Sequence, residues 1–111
     1  MSPSGPLRRL MVIVDENEVS QHQPVFMEII RRARDAGLAG ASAFRGVEGF
    51  GSSRALHTNR ILALADDLPV MIVIIDSAAN IDRFLPELSG LMVGGVIALD
   101  DVDVLTPSDL R

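Results

Sequence analysis

Pro69-Val70-Met71-Ile72-Val73-Ile74-Ile75-Asp76 decides how this chain folds. Its six central residues are all apolar and mostly β-branched, and the run is short and bounded by a proline and an aspartate. That combination predicts a strand. Successive side chains of a strand point to opposite faces, so an unbroken apolar run predicts burial on both sides.

The segments around it supply the partners. Downstream, Ser77 can cap a helix whose Ile81, Phe84, Leu85 and Leu88 form one apolar stripe. The stripe continues past Pro86, so the helix is expected to tolerate that proline, and Gly90 is expected to end it. Val93 to Leu99 predicts a final core strand interrupted by Gly94-Gly95, and the alternation from Asp101 to Leu105 predicts a short extra C-terminal edge strand. Upstream, Ala39 to Val47 reads as a strand. Before it, Phe26, Ile29, Ile30 and Ala33 mark a helix that starts near Pro24 and stops at Gly37. Leu7 to Val14 reads as the first strand, broken by Asp15-Glu16-Asn17-Glu18.

This order predicts an α+β fold, the ferredoxin-like β-α-β-β-α-β sandwich, with a four-stranded antiparallel sheet and two helices on one face. Residues 7–105 form a single domain in this reading, between a flexible start at 1–6 and a tail at 106–111. Two helices cover only one face of a sheet. The apolar residues of 70–75 that point the other way therefore need a second surface, and self-association is the economical source.

Composition narrows the function. The chain has 111 residues, 48% of them hydrophobic and 23% charged, which is enough for one globular core. It has no cysteine, so disulfides and thiolate metal sites are excluded. A net charge of −5, no Trp, no Tyr and four Phe argue against nucleic acid as a partner. The apolar run Leu10 to Val14 is too short for a signal peptide or a membrane span, which predicts a cytoplasmic protein without membrane insertion.

One stretch has the material of a binding site. In Gly49-Phe50-Gly51-Ser52-Ser53-Arg54, two glycines allow a sharp turn with exposed backbone N–H groups, and two hydroxyls and a guanidinium follow. A long connection from Ser52 to Asp67 comes next, of a length that compact domains usually reserve for function. The plainer readings are a structural turn or bulge for the glycines, a solvated cation for Arg54, and a strand bulge for Gly94-Gly95.

Other constellations are weaker. His22 and His57 have no second ligand nearby in sequence, so no metal is expected. Ser52 or Ser53 with His57 and Asp66 lacks a nucleophile elbow, so no catalytic residue is assigned and no enzyme is expected. Asp100, Asp101 and Asp103 lack the glycine turn and distal glutamate of a calcium loop and read as a solvated edge. Arg31, Arg32 and Arg34 read as the wet face of the first helix. An RNA-recognition domain would need aromatics on its central strands, and Leu10 to Val14 and Val70 to Ile75 have none. A small-molecule regulatory module would not need the long loop.

The stretch Gly40-Ala41-Ser42-Ala43-Phe44-Arg45-Gly46-Val47-Glu48-Gly49-Phe50-Gly51 resembles the second strand and loop base of PII signalling proteins. More closely, Ala33-Arg34-Asp35-Ala36-Gly37-Leu38-Ala39-Gly40-Ala41, Arg45 to Gly51 and Leu68-Pro69-Val70 resemble an uncharacterised bacterial family classed as PII-like. The resemblance covers residues 7–105 and preserves the order of elements. It implies a homotrimer with sheets facing inward and ligand clefts between subunits. By position, Ser42, Gly49, Phe50, Gly51, Ser52, Ser53 and Arg54 would form one wall of an adenine-nucleotide cleft, and Gly94 and Gly95 of a neighbour the other.

The chain also departs from PII proteins. The lysine after the glycine-rich turn is replaced by Gly95 or Val96, only Arg111 remains of the C-terminal arginines, and no tyrosine is present for uridylylation. A mono- or diphosphate, a cyclic nucleotide or another small anion fits that charge better than a triphosphate. The expectation is a trimeric sensor of a small phosphate-bearing ligand, acting on a transporter or channel through loop 52–67 and needing no cofactor. The alternative is an interaction module of the same fold that binds no nucleotide.

Overall fold

The computed structural model describes residues 5–48 and 68–111. Its sheet is built on two long central strands, β1 (Gly5–Asp15) and β5 (Pro69–Asp76), which pair antiparallel from Arg8↔Asp76 to Asp15↔Pro69. Between them in sequence come a small hairpin of β2 (Val19–Ser20) and β3 (Gln23–Pro24), helix α1 (Val25–Asp35) and strand β4 (Ser42–Arg45). Helix α2 (Ala78–Leu91), strand β6 (Val96–Val104) and a 3-10 turn over Pro107–Leu110 complete the chain. The strand order β4-β5-β1-β6, antiparallel throughout, is the ferredoxin-like arrangement with β2–β3 added.

Period-two alternation on the central strands makes the core. Leu10, Val12 and Val14 of β1 and Val70, Ile72 and Ile74 of β5 are buried under the helices. They meet Val25, Ile29 and Ala33 of α1 and Ile81, Phe84, Leu88 and Leu91 of α2. The α1 stripe is rotated by about one residue from the expected one: Val25 is buried, while Phe26 and Ile30 pack at its margin. Ser77 caps α2 as predicted, its Oγ accepting the Asn80 N–H at 3.2 Å. The helix runs through Pro86, and it also runs through the predicted stop at Gly90 to end at Leu91. Gly37 takes the left-handed conformation that terminates α1.

Three boundaries differ from the sequence reading. The first strand begins at Gly5, and the strand expected over Ala39 to Val47 contracts to Ser42–Arg45. The two C-terminal strands are one: β6 runs unbroken from Val96 to Val104, and Gly94-Gly95 precede it. It is also an edge rather than a core strand, with Ile97 46% and Leu99 41% exposed. An edge strand has one neighbour, and the buried stripes of α1 and α2 lie over β1 and β5.

Charge fixes the pairing of β6 with β1. Arg9 stands opposite Asp100, and Arg8 opposite Asp101. Arg9 makes a bidentate contact with Asp100, Nε to Oδ1 at 3.0 Å and Nη2 to Oδ2 at 2.6 Å. Arg8 points to the helix side, where it reaches Asp101 at 3.5 Å and Asp82 of α2 at 3.2 Å. A slip of β6 by one residue would exchange the faces of Asp100 and Asp101 while Arg8 and Arg9 stay in place. Asp100 and Asp101 therefore serve opposite faces of the sheet, so they do not form a shared cation site.

The arginines of α1 are likewise engaged. Glu28 accepts from Arg31 Nε at 3.1 Å and from Arg32 Nε at 3.0 Å, and Arg32 also reaches Glu87 of α2 at 3.0 Å. Hydrogen bonds from Arg31 and Arg32 lower the Glu28 pKa from 4.5 to about 2, against the opposing effect of burial. A depressed carboxylate stabilises the fold above its unfolded pKa and loses that contribution as pH falls through the folded one. Unfolding free energy should therefore decline between about pH 4.5 and about pH 2, and Glu28→Gln should flatten that decline in urea titrations. An unchanged slope in the variant would remove Glu28 from the acid response.

Candidate functional site

The candidate site lies at the end of the sheet where β1 and β4 finish and β5 and β6 begin. Gly46 follows β4 and donates its N–H to the Pro69 carbonyl at 2.7 Å. A Cβ at position 46 would sit 2.8 Å from the Pro69 ring, so this approach requires glycine. At the other edge, Gly95 has φ +103 and packs its α-carbon against the Ile13 carbonyl of β1.

The turn after β1 links these two edges. Glu16 donates its N–H to the Leu68 carbonyl at 2.9 Å, and its carboxylate pairs with the Arg45 guanidinium at the end of β4. Two residues on, Glu18 Oε2 accepts the Val93 N–H at 3.2 Å, and the Glu18 carbonyl accepts the Val25 N–H at 2.9 Å. One acidic turn thus holds the start of β5, the end of β4, the approach to Gly94-Gly95 and the first residue of α1.

Ser42 opens β4 opposite Val73 and lies on the sheet face away from the helices. Gly94 and Gly95 are exposed immediately before β6. Gly49, Phe50, Gly51, Ser52, Ser53 and Arg54 lie outside the described residues, as do His57 and Asp66. Of the expected walls, the described residues place Ser42 at one edge of the sheet and Gly94-Gly95 at the start of the other edge strand. β4 and β6 are opposite edges of the sheet, three strand spacings or about 14 Å apart.

Sequence reading missed Glu16, Glu18 and Arg45. The acidic run was visible only as a break after the first strand, and nothing local marks Val93 or Arg45 as its partners. His22 sits in the β2–β3 turn at φ 69, and the described residues contain no group of three metal-ligating side chains. No helix among them is long and apolar enough to cross a membrane. A groove of about 450 Å³ lies elsewhere, between the β2–β3 hairpin and α1.

Residues 7–104 match the DUF190 family, described as Uncharacterized ACR, COG1993. The chain belongs to that family. The UPF0166 protein of Aquifex aeolicus (strain VF5) is 34% identical over 96 residues, covering 86% of this chain and 90% of that protein. Among solved structures, CPII from Thiomonas intermedia K12 bound to ADP, AMP and acetate superposes with a TM-score of 0.65 at 18% identity, over 97% of each chain. A second CPII structure, of a nitrogen regulatory PII-like protein bound to ADP, AMP and bicarbonate, gives 0.63 at 18% identity, over 92% of this chain and 96% of that one. At such identities the likeness establishes the fold. This DUF190 chain has the ferredoxin-like fold of PII-like proteins, as the motifs around Gly46 and Leu68-Pro69-Val70 implied.

Proposed function

We propose that this DUF190 protein is a cytoplasmic, trimeric, non-enzymatic regulator that binds a small phosphate-bearing ligand between subunits. The observation that supports the reading is that Gly46 after β4 and Gly94-Gly95 before β6 stand at one end of the sheet but at opposite edges. Each is half of a site. A neighbouring copy packed against the open sheet face would supply the other half, with Ser42 and Gly49 to Arg54 on one side and Gly94-Gly95 on the other. CPII, which shares the fold, holds ADP and AMP in its structures. Loop 52–67 would present the bound state to a protein partner such as a transporter or channel, by a shift in its conformational population.

The electrostatics at this end favour a ligand of low charge. Glu16 engages Arg45, and Glu18 stands beside the glycine approach. A triphosphate would meet an acidic turn without the cations of PII proteins. The same acidity supports a second reading, an interaction module that binds no nucleotide. Thermal-shift and calorimetric titration with ATP, ADP, AMP, cyclic nucleotides and simple anions separates the two. AMP or ADP should raise the melting temperature more than ATP, and Arg54→Ala should weaken the bound nucleotide about tenfold or more, the scale of one charge-assisted hydrogen bond. No shift with any ligand at millimolar concentration would leave the interaction module.

A further inference from the structure

The sheet face away from the helices carries Leu7, Met11 and Ile13 of β1, Met71, Val73 and Ile75 of β5, Phe44 of β4, and Val96, Ala98 and Val102 of β6. Phe44 is 53% and Val96 44% exposed. Among the described residues one charged pair lies in its interior, Arg9 with Asp100, while Asp15 stands at the margin. Each charge meets the other in a two-pronged contact, so the interior of the face has no net charge.

We infer that the Arg9–Asp100 pair, closed within the chain, lets a second copy of this chain pack on the sheet face. Three observations favour a copy over another partner. The face is apolar and neutral in its interior, so two such faces meet without leaving an unpaired charge between them. It spans about 19 Å across four strands and about 30 Å along β6, the scale of one side of a standard protein interface. Its charged pair is pre-formed, so it need not reorganise when covered. The inference rests on the proposed assembly and names the pair that permits it.

The physics separates the two environments. In a solvated face the pair contributes little, because water screens it. In a covered face, removal of one partner strands the other charge in an apolar interface. The test is the oligomeric state of the full-length protein, by light scattering and analytical ultracentrifugation over a dilution series, with circular dichroism as the check on folding. Wild type should be assembled. Asp100→Asn and Arg9→Ala should each raise the dissociation midpoint about tenfold or more, and Arg9→Asp combined with Asp100→Arg should restore it.

Asp101→Asn is the control. It removes the neighbouring cross-strand pair on the helix side and should leave assembly unchanged. Equal dissociation by Asp101→Asn and Asp100→Asn would assign the effect to β6 pairing within the chain and overturn the inference. Assembly of both single variants at wild-type concentrations would overturn it while leaving the assembly itself intact. A wild-type monomer at every concentration would overturn the assembly and the inference together.

Discussion

Gly95→Ala will lower the unfolding free energy by about 2–5 kcal/mol in urea titrations. Two independent costs combine there. The backbone sits at φ +103, a region that costs an L-residue roughly 1–2 kcal/mol. The added Cβ would also fall within contact distance of the Ile13 carbonyl oxygen, with the Met92 Cε at 3.1 Å. Met92 can rotate away, but the carbonyl belongs to β1 and cannot. The start of β6 must therefore separate from β1, adding an overpacking cost of about 1–3 kcal/mol. Gly90→Ala provides a comparison of opposite sign: it lies inside α2 with nothing within 4 Å of the new methyl and should gain about 1 kcal/mol. A Gly95→Ala protein within 1 kcal/mol of wild type would refute the close approach as described. Because Gly95 is also half of the proposed ligand wall, the same variant should lose whatever nucleotide response the wild type shows.

Asp76→Ala will cost about 3–5 kcal/mol. Asp76 ends β5, is 6% exposed, and is the buried charged residue among those described. Its carboxylate accepts the Ala39 N–H at 2.8 Å, the Ser77 N–H at 2.7 Å and the Asn80 side-chain amide at 3.0 Å. Burial pushes its pKa up, but the bonds from Asn80, Ala39 and Ser77, with the Arg83 charge, outweigh burial and hold it below the usual carboxylate value. Alanine leaves two backbone N–H groups and an amide without their acceptor. Asp76→Asn keeps one carbonyl oxygen and should lose about half as much. The depressed pKa means that this contribution is present above the ordinary carboxylate range and is lost as pH falls below it. Hydrogen exchange should show the loss at Ala39 and in the first turn of α2. Full protection of Ala39 in the alanine variant would show that the carboxylate does not hold the α1–β4 connection.

Ala39 stands three residues before Ser42, so this buried carboxylate sets where β4 begins. The sequence offered half of that arrangement. Asp76 directly before Ser77 and a helical stripe is a visible helix start, and Ser77 does cap Asn80. Ala39 is 37 positions away, with no side chain to announce the bond. The charge ladder shows the same division. Arg8-Arg9 and Asp100-Asp101 are complementary dipeptides, yet read alone the aspartates are a solvated edge and nothing local ties them to the arginines. Only antiparallel pairing of β1 with β6 puts one couple on each face.

The sequence marks candidate site residues but not the place they occupy, and Gly49 to Arg54 lie outside the described residues. The sequence offered Gly94-Gly95 as a strand bulge or a ligand wall, and Gly46 only as part of the family motif. Which backbone they approach, the Pro69 carbonyl for Gly46 and the Ile13 carbonyl for Gly95, depends on strand neighbours. Glu16 and Glu18 were invisible for the same reason, since each binds a residue from another edge of the sheet.

By itself, the sequence determined the two helices, the central strands, their order and the apolar run of residues 70–75, but not the β2–β3 hairpin or the unity of β6, because periodicity and punctuation are local properties of neighbouring residues. It also determined the family, through motifs that survive as contiguous strings. The tertiary structure decided that β6 is one exposed edge strand, that the β4 and β6 edges stand about 14 Å apart across β5 and β1, and that among the described residues one ion pair lies within the open apolar face. Those facts follow from strand order and register, and register is set by pairings between residues tens of positions apart that no local pattern encodes.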